Sequence, residues 1–320
     1  MAELKIISMD EVQSKEVNWL WYPYIPYGKI TIIQGDPGEG KTTLSLRLAA
    51  LLSKGEALPY DDTEREPVRV IYQTAEDGLE DTIKPRLESA EADCTQIKVI
   101  DESEAALSMP DERIEKAIIE VGARVVILDP IQAYVGANIN MNNANEVRNV
   151  MAQLGRIAEK YDCAILLVGH MNKGSGNKSS YRGLGSIDFQ ASARSVLIVG
   201  RIKDNPQVRV MVQDKSSLAP EGKAIAFELD KENGFRWLGH YDIAVDDLLS
   251  GIPREKKSEQ AENLILEYLS KGKYPQQALL KKAQAVGISK RVLDEAKKSL
   301  NVQSVKEGSQ WYWRLPEKTE

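Results

Sequence analysis

Eight consecutive residues, Gly35-Asp36-Pro37-Gly38-Glu39-Gly40-Lys41-Thr42, fit the spacing G-x-x-x-x-G-K-[ST], and Thr43 follows them. Glycines in such a loop let successive backbone N–H groups converge on phosphate oxygens with no Cβ in the way. A helix opening at the end of the loop adds partial positive charge. In that arrangement Lys41 reaches the β- and γ-phosphates of a nucleotide, and the Thr42 hydroxyl ligates magnesium. A glycine-rich turn that binds nothing would share the composition. It would not also need the β-rich run at 29–34 (KITIIQ) before it and the apolar helix pattern TLSLRLAALLS after it.

Cleaving a phosphoanhydride also requires a metal partner and a group that orients or deprotonates water. Asp129 ends the apolar run 123–129 (ARVVILD). In an open α/β sheet the strand C-termini crowd around the ligand crevice, so Asp129 is expected beside Thr42, holding magnesium directly or through a water. The plainer alternative is a carboxylate capping the turn before Pro130. Glu76 falls just past the run 70–74 (VIYQT) and is the expected general base, with Asp77 its nearer competitor. Both could instead cap the helix pattern that follows, where an acidic residue contributes only ~0.3–1 kcal/mol. His170 ends the buried-type run 164–170 (AILLVGH) and is expected to contact the γ-phosphate and report to the next loop. A lone histidine there could equally be structural. Cys163, at the start of that run, reads as a core residue.

These groups need a sheet to hold them. Strand patterns occur at 29–34, 68–73, 97–100, 125–128, 164–168, 196–200 and 208–212, with helix patterns at 42–53, 79–90, 111–121 and 145–160. Short, nearly continuous apolar strands separated by helices predict an α/β fold with a mostly parallel sheet covered on both faces. The later strands follow without intervening helices, which predicts an antiparallel finish. Residues 245–257 (VDDLLSGIPREKK) combine Gly, Pro and charge and read as a linker. The expected division is therefore 1–245, a linker at 246–257, and a second domain at 258–320.

That second domain shows helix patterns at 259–270, 275–286 and 289–300, then two β-like pieces at 301–305 and 311–315 with Gly308 at the turn. Three helices and a hairpin describe a winged helix-turn-helix. In its last helix Val292, Leu293, Ala296 and Leu300 share a face, while Lys290, Arg291, Lys297 and Lys298 lie largely elsewhere and Ser289 is a plausible N-cap. Such a face suits duplex DNA, or equally a protein. Trp311 and Trp313 alternate with Tyr312, so one face of the hairpin is expected to pack on the helices.

Composition sets the outer bounds. Of 320 residues, 42% are hydrophobic and 28% charged, ordinary for a globular chain. Two cysteines, Cys94 and Cys163, and two histidines exclude a disulfide framework and make Cys/His zinc chemistry a poor fit. The start, MAELKIISMD, lacks a signal-peptide pattern, and no apolar run approaches the ~18 residues of a membrane span. A cytoplasmic protein without membrane contact is expected. The net charge of −6 divides into −11 over residues 1–250 and +5 over 251–320. An acidic body with a basic tail suggests modules with different partners.

With these motifs in this order, residues 15–230 resemble the RecA-like hexameric ATPases, particularly the RepA-type replicative helicases and their phage and plasmid relatives. The resemblance is carried by 19–43 (WLWYPYIPYGKITIIQGDPGEGKTT), Ala75-Glu76-Asp77, 127–130 (ILDP), 169–176 (GHMNKGSG) and 181–186 (YRGLGS). The tail, with Trp311-Tyr312-Trp313, is similar to winged-helix extensions on some relatives. The family implies a RecA-like P-loop NTPase fold and a homo-oligomeric, usually hexameric ring. ATP and Mg2+ would sit between neighbours, and an arginine from the adjacent subunit would complete each site, worth ~10³–10⁵ in rate where such fingers operate. Arg194 best matches the RepA-type position and Arg182 comes second. The DnaB-type branch carries a Lys-x-Arg pair on a late strand; Lys215-Ser216-Ser217 keeps the lysine and has serine where the arginine would stand.

Two loops would face the ring channel: 136–145 (GANINMNNAN), and 172–182 (NKGSGNKSSYR) with Lys173, Lys178 and Arg182. Amide and cationic side chains on such loops grip a phosphate backbone without reading sequence, although both could be plain solvent loops. The leading expectation is an ATP-driven motor or loader on single-stranded DNA, a DNA helicase in replication of a phage or mobile element. The competing expectations are a nucleotide-switched DNA-binding regulator and a filament-forming recombination or repair ATPase.

Overall fold

The computed structural model describes residues 6–136, 139–141, 143–171, 187–230, 234–250, 257–270, 272–308 and 310–316. The chain divides into two compact units, Met1–Ile252 and Pro253–Glu320.

The first unit opens with a small hairpin, β1 (Trp19–Trp21) and β2 (Ile25–Pro26), then the strand β3 (Ile30–Gly35) and helix α1 (Lys41–Lys54). Strand β4 (Val70–Thr74) follows, and a π-helical turn at Leu79–Ile83 runs into α2 (Lys84–Ser89). Next come β5 (Ile97–Lys98), α3 (Glu112–Val121), β6 (Val125–Asp129), the single turn α4 (Ile131–Tyr134), α5 (Ala144–Tyr161) and β7 (Ala164–His170). The unit continues through α6 (Ile187–Ser192), β8 (Ser195–Ile202), β9 (Asn205–Ser216), β10 (Ile225–Asp230), β11 (Gly234–His240) and α7 (Val245–Ser250).

Nine of these strands form one sheet in the order β11-β10-β9-β8-β3-β7-β6-β4-β5. Pairings from β8 across to β5 are parallel, and those from β8 out to β11 are antiparallel. The central strands have almost no polar side chain to offer solvent, so both faces must be covered. On one face Ile33, Tyr72, Ile127 and Leu166 pack with Leu44 and Leu48 of α1. On the other, Ile32, Ile71, Val126 and Ile165 pack with Ile114 of α3 and Met151 and Leu154 of α5. Asp111 and Asn143 cap α3 and α5 by accepting from the backbone N–H groups of Arg113 and Asn145. Cys163 is a core residue, and burial pushes its thiol up to about 12.

The ordering matters for chemistry. Strand β7 lies between β3, which feeds the phosphate loop, and β6, which ends in Asp129. His170 at the end of β7 therefore stands between them.

Two features differ from the sequence expectation. The stretch 246–257, read as a linker, begins as helix α7, whose Leu248 is buried against Met171, Ile198, Val210 and Val212. Val245, Leu248 and Leu249 give it an apolar face that the neighbouring Gly and Pro concealed; residues 251–256 lie outside the described residues. Strands β10 and β11 had no expectation at all. Phe227 and Phe235 stack and Trp237 meets both edge-to-face, in the same core cluster as α1, while the alternate residues of β11 face outward at the sheet edge.

The second unit contains α8 (Lys257–Leu269), β12 (Tyr274–Pro275), α9 (Gln276–Ala285), α10 (Lys290–Ser299), β13 (Gln303–Glu307) and β14 (Gln310–Arg314). Its strands form an antiparallel sheet in the order β12-β14-β13, so a short third strand joins the expected hairpin. Ile265, Leu269, Leu279, Leu293, Ala296 and Trp313 fill the core. Ser289 caps α10, its hydroxyl accepting from Val292 N–H. Among the described residues no helix is long and apolar enough to cross a membrane.

Candidate active site

The phosphate loop spans the gap between the end of β3 and the start of α1, and two of its glycines are constrained in different ways. A Cβ on Gly35 would lie 2.1 Å from the backbone carbonyl oxygen of Val199 on the adjacent β8, so a side chain there would push the loop off the sheet. Gly40 has φ +89°, a left-handed conformation that strains any other residue.

Lys41 is only 5% exposed. Its Nζ donates to the carbonyl oxygen of Asp36 at 2.9 Å and stands 3.3 Å from Nδ1 of His170. Burial draws its pKa down, opposed by the carboxylates of Asp129, Glu39, Asp36 and Glu76. An ammonium so placed, beneath a loop of converging backbone amides, suits a polyphosphate.

Asp129 is 6% exposed at the end of β6. Burial raises its pKa, while hydrogen bonds from the Thr42 and Tyr72 hydroxyls oppose that rise. The Tyr72 hydroxyl donates to Oδ2 at 2.8 Å from the neighbouring strand β4. This donor set fits magnesium, since a buried carboxylate and a hydroxyl lie together beside a phosphate cradle. Thr42 and Asp129 would hold the ion, which would neutralise charge on the β- and γ-oxygens. The role of Tyr72 went unnoticed in the sequence, where it is an aromatic residue in the short strand VIYQT.

The ring of Tyr72 is fully buried, and its hydroxyl hydrogen-bonds the Asp129 carboxylate. Groups that orient a metal ligand typically govern roughly 10–100-fold in metal affinity or activity. Tyr72→Phe is expected to raise the magnesium concentration for half-maximal ATP turnover by roughly tenfold. Binding of a fluorescent nucleotide in EDTA should stay as in the wild type. An unchanged magnesium titration would reduce the hydroxyl to packing.

Glu76 and Asp77 part company in space. Oε2 of Glu76 lies 3.6 Å from Nε2 of His170, and the side chain is 63% exposed. Asp77 instead pairs with Arg86 at 3.1 Å. The imidazole of His170 is thus flanked by Lys41 on one nitrogen and Glu76 on the other. Its backbone oxygen accepts from Nε2 of Gln132 at 3.1 Å, tying the end of β7 to α4; of the expected 136–145 loop, residues 144 and 145 instead open α5.

Two arginines with no sequence signal, Arg201 and Arg209, lie against Glu39 of the loop. Glu39 sits 3.6 Å from Arg201 and 3.8 Å from Arg209, and Arg201 donates to the carbonyl oxygen of Gly38 at 3.2 Å. Burial pushes the Glu39 carboxyl up despite these arginines. The two arginines are direct cross-strand neighbours on β8 and β9.

Arg194 is not part of this cluster. It is exposed just before β8, its N–H bonded to the carbonyl oxygen of Ile30 at the opposite end of β3 from the phosphate loop. At about 3.3 Å per residue the strand separates them by roughly 17 Å. Lys215 donates to the carbonyl oxygens of Gln190 and Ala191 at 2.8 and 3.0 Å and so closes α6. Arg182, Lys173 and Lys178 lie outside the described residues, as do 137, 138 and 142 of the other loop.

A family model described as AAA domain matches residues 3–176. Among curated proteins the chain is similar to the DNA repair protein RadA of Halalkalibacterium halodurans, 32% identical over 165 residues, or 51% of this chain and 32% of that protein. RadA of Bacillus subtilis is 29% identical over 148 residues, 46% of this chain and 28% of that protein. The matched region thus spans about a third of these relatives. Among solved structures, the ATPase Domain of G40P aligns with a TM-score of 0.50 at 15% identity, covering 67% of this chain and 85% of that one. At that identity the likeness shows the fold alone.

Proposed function

The chain belongs to the AAA-domain family, with a RecA-like P-loop ATPase fold, and from that premise we propose an ATP-driven motor or loader on single-stranded DNA, of the RepA helicase type. In this reading Lys41 and the loop from Gly35 to Thr43 hold the triphosphate. Thr42 and Asp129 hold magnesium, Glu76 is the base toward water, and His170 senses the γ-phosphate.

The observation that carries the reading is the division of charge across β3. Lys41, Glu76 and His170 converge at one end of the parallel strands, and Arg194 stands exposed at the other. In this fold that arginine stands away from its own site, which supports its being presented to the site of a neighbouring copy. A homo-oligomeric ring would supply such a neighbour, and native mass tests for a hexamer. With −11 spread over residues 1–250, this unit has no basic coat for DNA, and the reading assigns its DNA contact to the segments 136–145 and 172–182.

The order of helices and strands in Pro253–Glu320 supports a winged helix as a second domain for duplex DNA or protein. The likeness to RadA supports a second reading, a repair ATPase that forms filaments. Strand displacement separates motor from filament.

ATPase rate with and without single-stranded DNA, read alongside native mass, tests the proposal. Arg194→Ala is expected to lose hydrolysis by about 10³-fold or more. Mixing it with Lys41→Ala subunits should restore part of the rate, because each mutant supplies the half-site the other lacks. Mixed assemblies without rescue would overturn the trans arginine.

A further inference from the structure

The hairpin β13–β14 departs from its expected packing. Trp311 and Trp313 point to the same side of β14, yet only Trp313 reaches the helices: it is fully buried, while Trp311 is 48% exposed nearer the Gly308 turn. A single exposed apolar residue is ordinary. Its surroundings are less so.

Lys306 is the direct cross-strand partner of Trp311, with Nζ 5.8 Å from the centre of its ring. Beside it Lys297 lies 4.7 Å from the ring of Trp313, and Lys273 lies 5.5 Å from that of Tyr312 on the other side of the strand. Strand β14 has no carboxylate, and Glu307 of β13 is bound to Lys273. Among the described residues no carboxylate pairs with Lys306. Helix α10, the expected recognition element, is different: Arg291 faces Glu295 at 3.6 Å, which cancels part of its charge.

We propose that Trp311 and Lys306 form a binding site for single-stranded nucleic acid, in which an unpaired base stacks on the indole and its phosphate meets the ammonium. This rests on the reading that the chain acts on single-stranded DNA and adds a contact outside the ATPase unit. Any base offers a flat face, so stacking on an exposed aromatic is tolerant of sequence. Paired bases keep their faces covered by their neighbours in the duplex, which restricts the indole to single strands and strand ends. The excess of +5 over residues 251–320 complements a polyanion.

Anisotropy of a labelled oligothymidine with the full-length chain tests the site. Trp311→Ala is expected to weaken binding by roughly tenfold, and Trp311→Phe, which keeps a stacking plane, by much less. Lys306→Gln should lower the slope of log affinity against log salt by about 0.7. Basal ATPase without DNA should be the same in all three. If Trp311→Ala binds the oligonucleotide as wild type does while DNA still stimulates the ATPase, the site is wrong and the motor reading stands. Binding that depends on Trp311 without any stimulation keeps the site and removes the motor. Failure of the wild type to bind overturns both. Loss confined to a Lys290/Arg291/Lys298 triple alanine variant would move the contact to α10.

Discussion

Lys41→Ala should reduce ATP turnover by at least 10²–10³-fold, the range typical for removing one preorganised electrostatic group from a reacting centre. The ammonium is already oriented in a dry environment, between the carbonyl oxygen of Asp36 and the His170 ring. Binding a triphosphate replaces one oxygen partner by another at the same depth, so little reorganisation opposes it. Alanine removes the cation and also withdraws positive charge from beside Asp129, whose carboxyl burial already raises. Both effects act against holding a metal-bound polyphosphate. The fold itself should survive, because a partly desolvated ammonium is a costly thing to bury. Steady-state phosphate release, with a thermal melt as the control, reads this out. Wild-type turnover in a folded variant would refute the phosphate-loop assignment.

The site was legible where chemistry constrains residue type at fixed spacing. Gly35 and Gly40 show why: a side chain at the first would strike the Val199 backbone and the second holds a left-handed φ, and that demand is printed in the sequence as a pattern. The central strands were equally legible, because burial on both faces leaves a continuous apolar run. Elsewhere the information lay in pairing. Tyr72 matters because β4 is the neighbour of β6, a fact no local pattern contains. Arg201 and Arg209 meet Glu39 only through the β8–β9 register, which shifts twice along the pair. Strand β11 was missed because an edge strand alternates, and its outward residues made it look like a loop. Trp311 and Trp313 show the limit in miniature, since identical residues on one strand face separate once the helices end.

Glu76→Gln should stop turnover and leave nucleotide binding nearly intact. A positioned base contributes ~10²–10⁴-fold, and glutamine keeps the shape and the contact with His170 while losing the ability to take a proton. The side chain is largely exposed, so the exchange costs little stability. Asp77→Asn is the matched comparison. Its ion pair with Arg86 is partly exposed on both sides, and such pairs contribute only ~0–1 kcal/mol, so near-normal turnover is expected. The two carboxylates are chain neighbours at the head of the same helical segment, and a general loss of acidic charge there would affect both alike. Single-turnover hydrolysis and fluorescent-nucleotide affinity, measured on both variants, distinguish these cases. If Asp77→Asn is the variant that binds without cleaving, the base has been assigned to the wrong residue and the Glu76–His170 contact is structural.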